Sequence, residues 1–203
     1  WSWGSDNDNG QLGNGTTSSS GLQQVTAWSA IPPDLPILST AAHGGVVQLD
    51  GSSGSITLPN SINPTAAITL ESWIYPADAV GGWREIIMKN PLGQSGDSSD
   101  VKYALRQDGG TLHFHITNTS DASYFITCPI EGDQWQHVAG TYSSVDGVLR
   151  LYLNGQEVNS SAASGDIAAT TSVDHFIGFN GTDRYFKGSI DEVRIWDTNR
   201  SQT

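Results

Sequence analysis

Cysteine is nearly absent: Cys128 is the only one in 203 residues, which excludes a disulfide framework and a thiolate metal site. It stands in Phe125-Ile126-Thr127-Cys128-Pro129-Ile130, where a small buried hydrophobe is expected rather than a nucleophile. Basic residues are scarce too, with Lys+Arg 9 against Asp+Glu 21 and a formal net charge of -12. That balance argues against nucleic acid, whose phosphates would be repelled, and equally against anionic membrane surfaces. No apolar run approaches membrane-spanning length, so membrane insertion is not expected, and no signal peptide is visible. Trp1 at one end and Ser201-Gln202-Thr203 at the other read as a piece of something longer. Helical periodicity is missing from every window.

What is present is turn chemistry and alternation. Gly 23, Pro 8 and many Ser, Thr and Asn favour short strands joined by turns. Leu149-Arg150-Leu151-Tyr152-Leu153 alternates with the period of 2 of a half-buried strand. Asn154-Gly155 then supplies the positive-φ pair of a type I′ hairpin turn. Ile68, Leu70, Ser72 and Ile74 fall on one face of a strand, with Thr69, Glu71, Trp73 and Tyr75 on the other. Asp108-Gly109-Gly110 is a second hairpin signal; after it Leu112, Phe114 and Ile116 face the core while His113 and His115 face outward. Strands at this spacing, without helices, predict an all-β, two-sheet antiparallel sandwich.

Two resemblances organise the chain. Trp1-Ser2-Trp3-Gly4, followed by Asn7-Asp8-Asn9-Gly10-Gln11-Leu12-Gly13-Asn14-Gly15-Thr16, resembles part of a propeller-blade repeat of the RCC1 type, covering residues 1–28. Residues 29–44, with Pro32-Pro33 and Pro36, read as a semi-rigid linker. From residue 45 to 203 the succession Leu49-Asp50-Gly51, Ile68-Thr69-Leu70-Glu71-Ser72-Trp73-Ile74, Trp135-Gln136-His137-Val138-Ala139, Leu151-Tyr152-Leu153-Asn154-Gly155 and Phe186 to Trp196 resembles the laminin-G-like, concanavalin A-like jelly-roll family. That resemblance implies a curved sandwich of some twelve to fourteen strands. It also implies a secreted or cell-surface setting, a glycan-binding, adhesive or spacer role, and frequently a calcium ion.

Candidate sites follow from loop position and chemistry. Hard cations take six to eight oxygens, and the family resemblance places a calcium site where the first strand meets the last, which makes Asp50 and Asp191 the candidates. Asp97, Asp100 and Asp121, acids of polar loops, are the alternatives. Sugar recognition needs aromatic faces with planar polar groups beside them. Trp83, expected in a loop after Gly81-Gly82, is the leading aromatic; Tyr124, Arg184 and Tyr185 lie in or beside loops, and Arg106, His113 and His115 could line an exposed sheet face. Trp73, Trp135 and Trp196 are expected in the core. His113-Phe114-His115 places two imidazoles on one face, but no third zinc ligand can be assigned. Glu71, Asp191 and Glu192 raise the question of a glycosidase; Arg194 at i+2 from Glu192 favours a structural ion pair over a second catalytic acid. The expectation is therefore a non-catalytic, calcium-stabilised module that binds a glycan or surface polysaccharide. The alternative is a structural module contacting neighbouring protein subunits or domains, and a glycoside-active enzyme is the third reading.

Overall fold

The structure is a computed structural model that describes residues 46–90, 101–168, 170 and 175–201. The repeat expected over 1–28 and the linker over 29–44 lie outside the described residues, as do Asp97 and Asp100. Twelve strands run through the described residues: β1 (Val47–Asp50), β2 (Ile56–Leu58), β3 (Ala67–Pro76), β4 (Trp83–Lys89), β5 (Tyr103–Asp108), β6 (Thr111–Thr117), β7 (Ser123–Pro129), β8 (Gln136–Ser143), β9 (Val148–Leu153), β10 (Gln156–Ala162), β11 (His175–Ile177) and β12 (Lys187–Trp196). They make two six-stranded sheets, in the orders β1-β12-β3-β8-β9-β10 and β2-β11-β4-β5-β6-β7. All their pairings are antiparallel. No helix among the described residues is long and apolar enough to cross a membrane. This is an all-β jelly-roll sandwich of the concanavalin A-like kind.

Alternation builds the space between the sheets. Ile68, Leu70 and Ile74 of β3, Val138 and Tyr142 of β8, and Leu149 and Leu151 of β9 meet Leu105, Leu112, Phe114, Ile116 and Ile126 in one core. Burying each such side chain contributes about 1.5–3 kcal/mol. Cys128 belongs to this core, and burial pushes its thiol up to about 11, so it is the inert hydrophobe its surroundings suggested. Trp73 and Trp135 are buried, but not here. They form a separate cluster with Val46 and Tyr75 on the outer face of the first sheet, because β3 turns Trp73 away from Ile74. Trp196 is only half-buried.

β4 departs from plain alternation. A register shift between Glu85 and Ile87 adds one residue and reverses the faces after it. Lys89 is thereby turned inward, where it is fully buried. Its ammonium donates to the carbonyl of Ile62 at 2.8 Å, to Asn63 Oδ1 at 2.8 Å and to the carbonyl of Asn60 at 3.4 Å. One cation thus holds the β2–β3 connection onto the sandwich. Lys89→Met keeps the stem but leaves those oxygens without their donor, and should cost about 2–4 kcal/mol of unfolding free energy in urea titration.

Candidate functional site

Across β4, β5, β6 and β7, the face of the second sheet that points away from the core carries its polar and aromatic residues in register. One row runs Glu85–Arg106–His113–Thr127, and the next runs Met88–Ala104–His115–Phe125. Trp83 opens β4 two residues before Glu85 and lies on the same face. Its ring sits 4.4 Å from the Arg106 guanidinium carbon, 5.6 Å from that of Arg184, and 4.8 Å from the His113 ring at 56°. His113 in turn lies 6.2 Å from the ring of Phe125, which is 61% exposed. The result is a strip from Arg184 through Trp83, Arg106 and His113 to Phe125.

Arg184 is brought in by a built loop. Asn180 is fully buried, and its Oδ1 accepts from the backbone N–H groups of Thr182, Asp183 and Arg184 at 2.9, 2.9 and 3.0 Å. This Asx-type cap fixes the turn before Arg184. Tyr185 stacks on Phe179 at 4.3 Å, which meets Phe176 edge-on at 5.5 Å, so an aromatic shelf borders the strip on the β11 side.

Burial sets the electrostatics. Glu85 has no solvent exposure, and neither carboxylate oxygen has a hydrogen-bond partner; Arg184 Nη1 lies 3.8 Å from its Oε1. Burial pushes its carboxyl up to about 7, against the pull of Arg106 and Arg184, with Asp183 adding to the rise. Burial and the neighbouring Arg106 hold His113 below the usual imidazole range. His115, without exposure and with both ring nitrogens unpartnered, is held down to about 3 by burial, Arg106 and His113. Both imidazoles are neutral at pH 7.

The structure brings Trp83, Arg106, His113 and Arg184 together, with Tyr185 at the border. It corrects three expectations. Trp83 is a strand residue, not a loop residue, because Gly81-Gly82 ends just before β4 begins. His115 faces outward in register but is buried rather than exposed. Tyr124 belongs to the other face: it packs against the inter-sheet core, with its hydroxyl 3.0 Å from Ser164 Oγ. Phe125 and Glu85 were missed. The signal for Phe125 was there, since alternation that sends Ile126 and Cys128 inward sends Phe125 outward.

The acids proposed for calcium do not converge. β1 does pair with β12, as the family resemblance implied, but Asp50 lies opposite Lys187, four positions along β12 from Asp191. Asp50 instead accepts from Ser52 N at 2.8 Å and Ser53 N at 2.7 Å, which lowers its carboxyl to about 2. Asp191 Oδ1 accepts from Glu192 N at 2.8 Å, and burial pushes Asp191 up to about 7. Asp121 occupies an exposed turn with φ 57°. Among the described residues no group of three or more His, Cys, Asp or Glu is placed to hold a metal ion. Two further acids that raised the glycosidase question are engaged: Glu71 accepts from Trp196 Nε1 at 2.8 Å and lies 3.6 Å from His137 Nε2. Glu192 pairs with Arg194, as their spacing suggested.

Two six-stranded antiparallel sheets packed around one core define a sandwich of the concanavalin A-like class. Residues 50–203 match the family model Laminin_G_3, described as the concanavalin A-like lectin/glucanases superfamily, and the chain belongs to that family. A comparison with curated proteins finds no match. Among solved structures, the native heptameric SAP-like pentraxin of Limulus polyphemus is similar at 20% identity, with TM-score 0.55 over 77% of this chain and 77% of that one. The CBM40 of the Ruminococcus gnavus IT-sialidase, bound to α2,3-sialyllactose, is 17% identical, with TM-score 0.59 over 77% and 94%. The binding domain of botulinum neurotoxin serotype G is 13% identical, with TM-score 0.54 over 78% and 44%.

Proposed function

We propose that this chain is a non-catalytic carbohydrate-binding module of a larger secreted or cell-surface protein. The observation that carries the reading is the strip of Trp83, Arg106, His113 and Phe125 on the outer face of the second sheet. Aromatic rings stack on the C–H faces of sugars, and planar guanidinium groups beside them serve the hydroxyls. A structural neighbour adds support: the sialidase CBM40, matched over 94% of its length, has sialyllactose bound. Calcium enters this reading through the acid-rich loops, Asp97 and Asp100 above all, rather than through Asp50 with Asp191. A protein-contact role is the second reading, favoured by β10, an edge strand exposed at every residue.

A glycan-binding screen in millimolar calcium, repeated in EDTA, tests the proposal. Binding is expected, and Phe125→Ala and Trp83→Ala should each weaken it roughly tenfold, about 1.4 kcal/mol. Binding lost in EDTA alone assigns calcium a part. No binding in either condition overturns the carbohydrate reading and leaves the protein-contact one.

A further inference from the structure

We propose that the outer face of the second sheet holds an uncharged polysaccharide along its length, laid across the strands, rather than capturing the end of a glycan. The inference rests on the carbohydrate reading above and names its ligand class.

Aromatic rings reach from one border of that face to the other. Phe125, 61% exposed, stands on β7, the last strand of the sheet. The His113 ring follows, inclined by 31° to that of Phe125 with centroids 6.2 Å apart, and Trp83 lies 4.8 Å beyond it. On the far side of the Arg184 loop, Tyr185 stacks on Phe179 at 4.3 Å, and Phe179 meets Phe176 of β11. His113, Trp83, Tyr185 and Phe179 are all half-buried, so each keeps part of its surface in solvent. Four strand spacings separate β11 from β7, roughly 19 Å at the ordinary distance between paired strands. That is the width of several pyranose rings, not of one. A site for a chain end is concave and encloses most of its ligand. Here the most open ring is the one at the sheet edge, so the file runs outward to solvent rather than into a wall.

Charge excludes the acidic alternatives. The cations on this face are already engaged: Arg106 is buried with its guanidinium carbon 4.4 Å from the Trp83 ring, and Arg184 lies 5.6 Å from that ring and 3.8 Å from Glu85. Asp108, opposite Trp83 in register, and Asp183, beside Arg184, flank the file in a chain of net charge -12. A polyanion therefore meets repulsion, with neither arginine left to offset it. An uncharged chain meets none, and its C–H faces can stack on successive rings.

Calorimetry with uncharged gluco-, xylo- and manno-oligosaccharides of two to six units, and with polygalacturonate as the charged counterpart, tests the assignment. At least one neutral series is expected to bind, with affinity rising roughly tenfold or more from the disaccharide to the pentasaccharide. Phe125→Ala removes the open end of the file and should reduce that rise to threefold or less. Tyr185→Ala, at the opposite border, should do the same. Unchanged melting temperatures confirm that both variants are folded. Equal affinity for short and long members, a Phe125→Ala variant with the parent's full length dependence, or polygalacturonate bound as tightly as the neutral chains overturns the assignment and leaves the carbohydrate reading standing. Binding of no sugar, in this set or in the wider screen, overturns both.

Discussion

Gly188→Ala should remove a large part of this sandwich's margin of stability. Gly188 has φ +138°, and a Cβ there would lie 2.1 Å from the carbonyl oxygen of Tyr75. Tyr75 belongs to β3, the central neighbour of β12, so neither strand can move aside without breaking the ladder Gly188–Pro76, Ser189–Tyr75, Ile190–Ile74. Backbone strain of about 1–3 kcal/mol adds to overpacking of similar size, giving an expected loss of about 4 kcal/mol. Chemical denaturation would measure it, against a total of about 5–15 kcal/mol for an ordinary domain. Gly155→Ala is the control. Its φ is +78°, but nothing lies within 4 Å of the added carbon, so only the turn conformation suffers, at about 1 kcal/mol. Equal losses at the two positions would show that close approach at Gly188 is not what matters.

The second large effect is on pH dependence. His115 and His175 are held down to about 3 and about 4 by burial. The unfolded chain therefore takes up two protons below about pH 6.5 that the folded chain refuses. That destabilises the fold as pH falls. Glu85 and Asp191, both pushed up to about 7 by burial, act the opposite way. Their raised folded values contribute stability that is present below pH 4 and lost as pH rises through 7. Between about pH 4.5 and 6.5 these two pairs cancel, and what remains is the contribution of His113, also held below its usual range, which lets stability rise with pH; below about 4.5 the two carboxylates no longer compensate and stability falls. Glu85→Gln removes one of the opposing carboxylates. Stability should then rise with pH across 4.5–6.5 more steeply than in the parent, by about 1.4 kcal/mol per pH unit, the slope of one uncompensated proton. Thermal or urea unfolding at four pH values reads this directly, and a variant whose slope equals the parent's would show that Glu85 does not hold its proton in the fold.

Much of the fold was legible because its instructions are local. Asn154-Gly155 turns with φ 50° and 78°, and Asp108 and Thr111 end and begin strands across Gly109-Gly110, as the sequence predicts. The alternation of Leu112, Phe114 and Ile116 places His113 outward without any knowledge of the partner strands. What was illegible depended on register. The shift after Glu85 inverts the second half of β4, which sends Lys89 inward and leaves Glu85 under the guanidinium groups; no pattern within Arg84-Glu85-Ile86-Ile87-Met88-Lys89 marks where the extra residue falls. Burial of an outward face was equally invisible, so His115 was expected in solvent and Trp73 and Trp135 in the central core. The candidate strip itself was half legible. Its residue types could be named one by one, but their meeting at Trp83 is a product of four strands in register and a loop pinned by Asn180.

The pairing of β1 with β12 carries a mechanical consequence. β1 is an edge strand held by four pairs, from Val47–Ile190 to Asp50–Lys187, and it runs antiparallel to its partner. Chain leading into β1 and chain leading out of β12 therefore depart from the same end of that ladder. Tension applied between them loads the hydrogen bonds one after another from Val47 inward, like a zipper, rather than all at once in shear. Under pulling, β1 is the fuse of the sandwich, and its release would free the Leu49 contact with the core while β3, β8 and β9 stay paired.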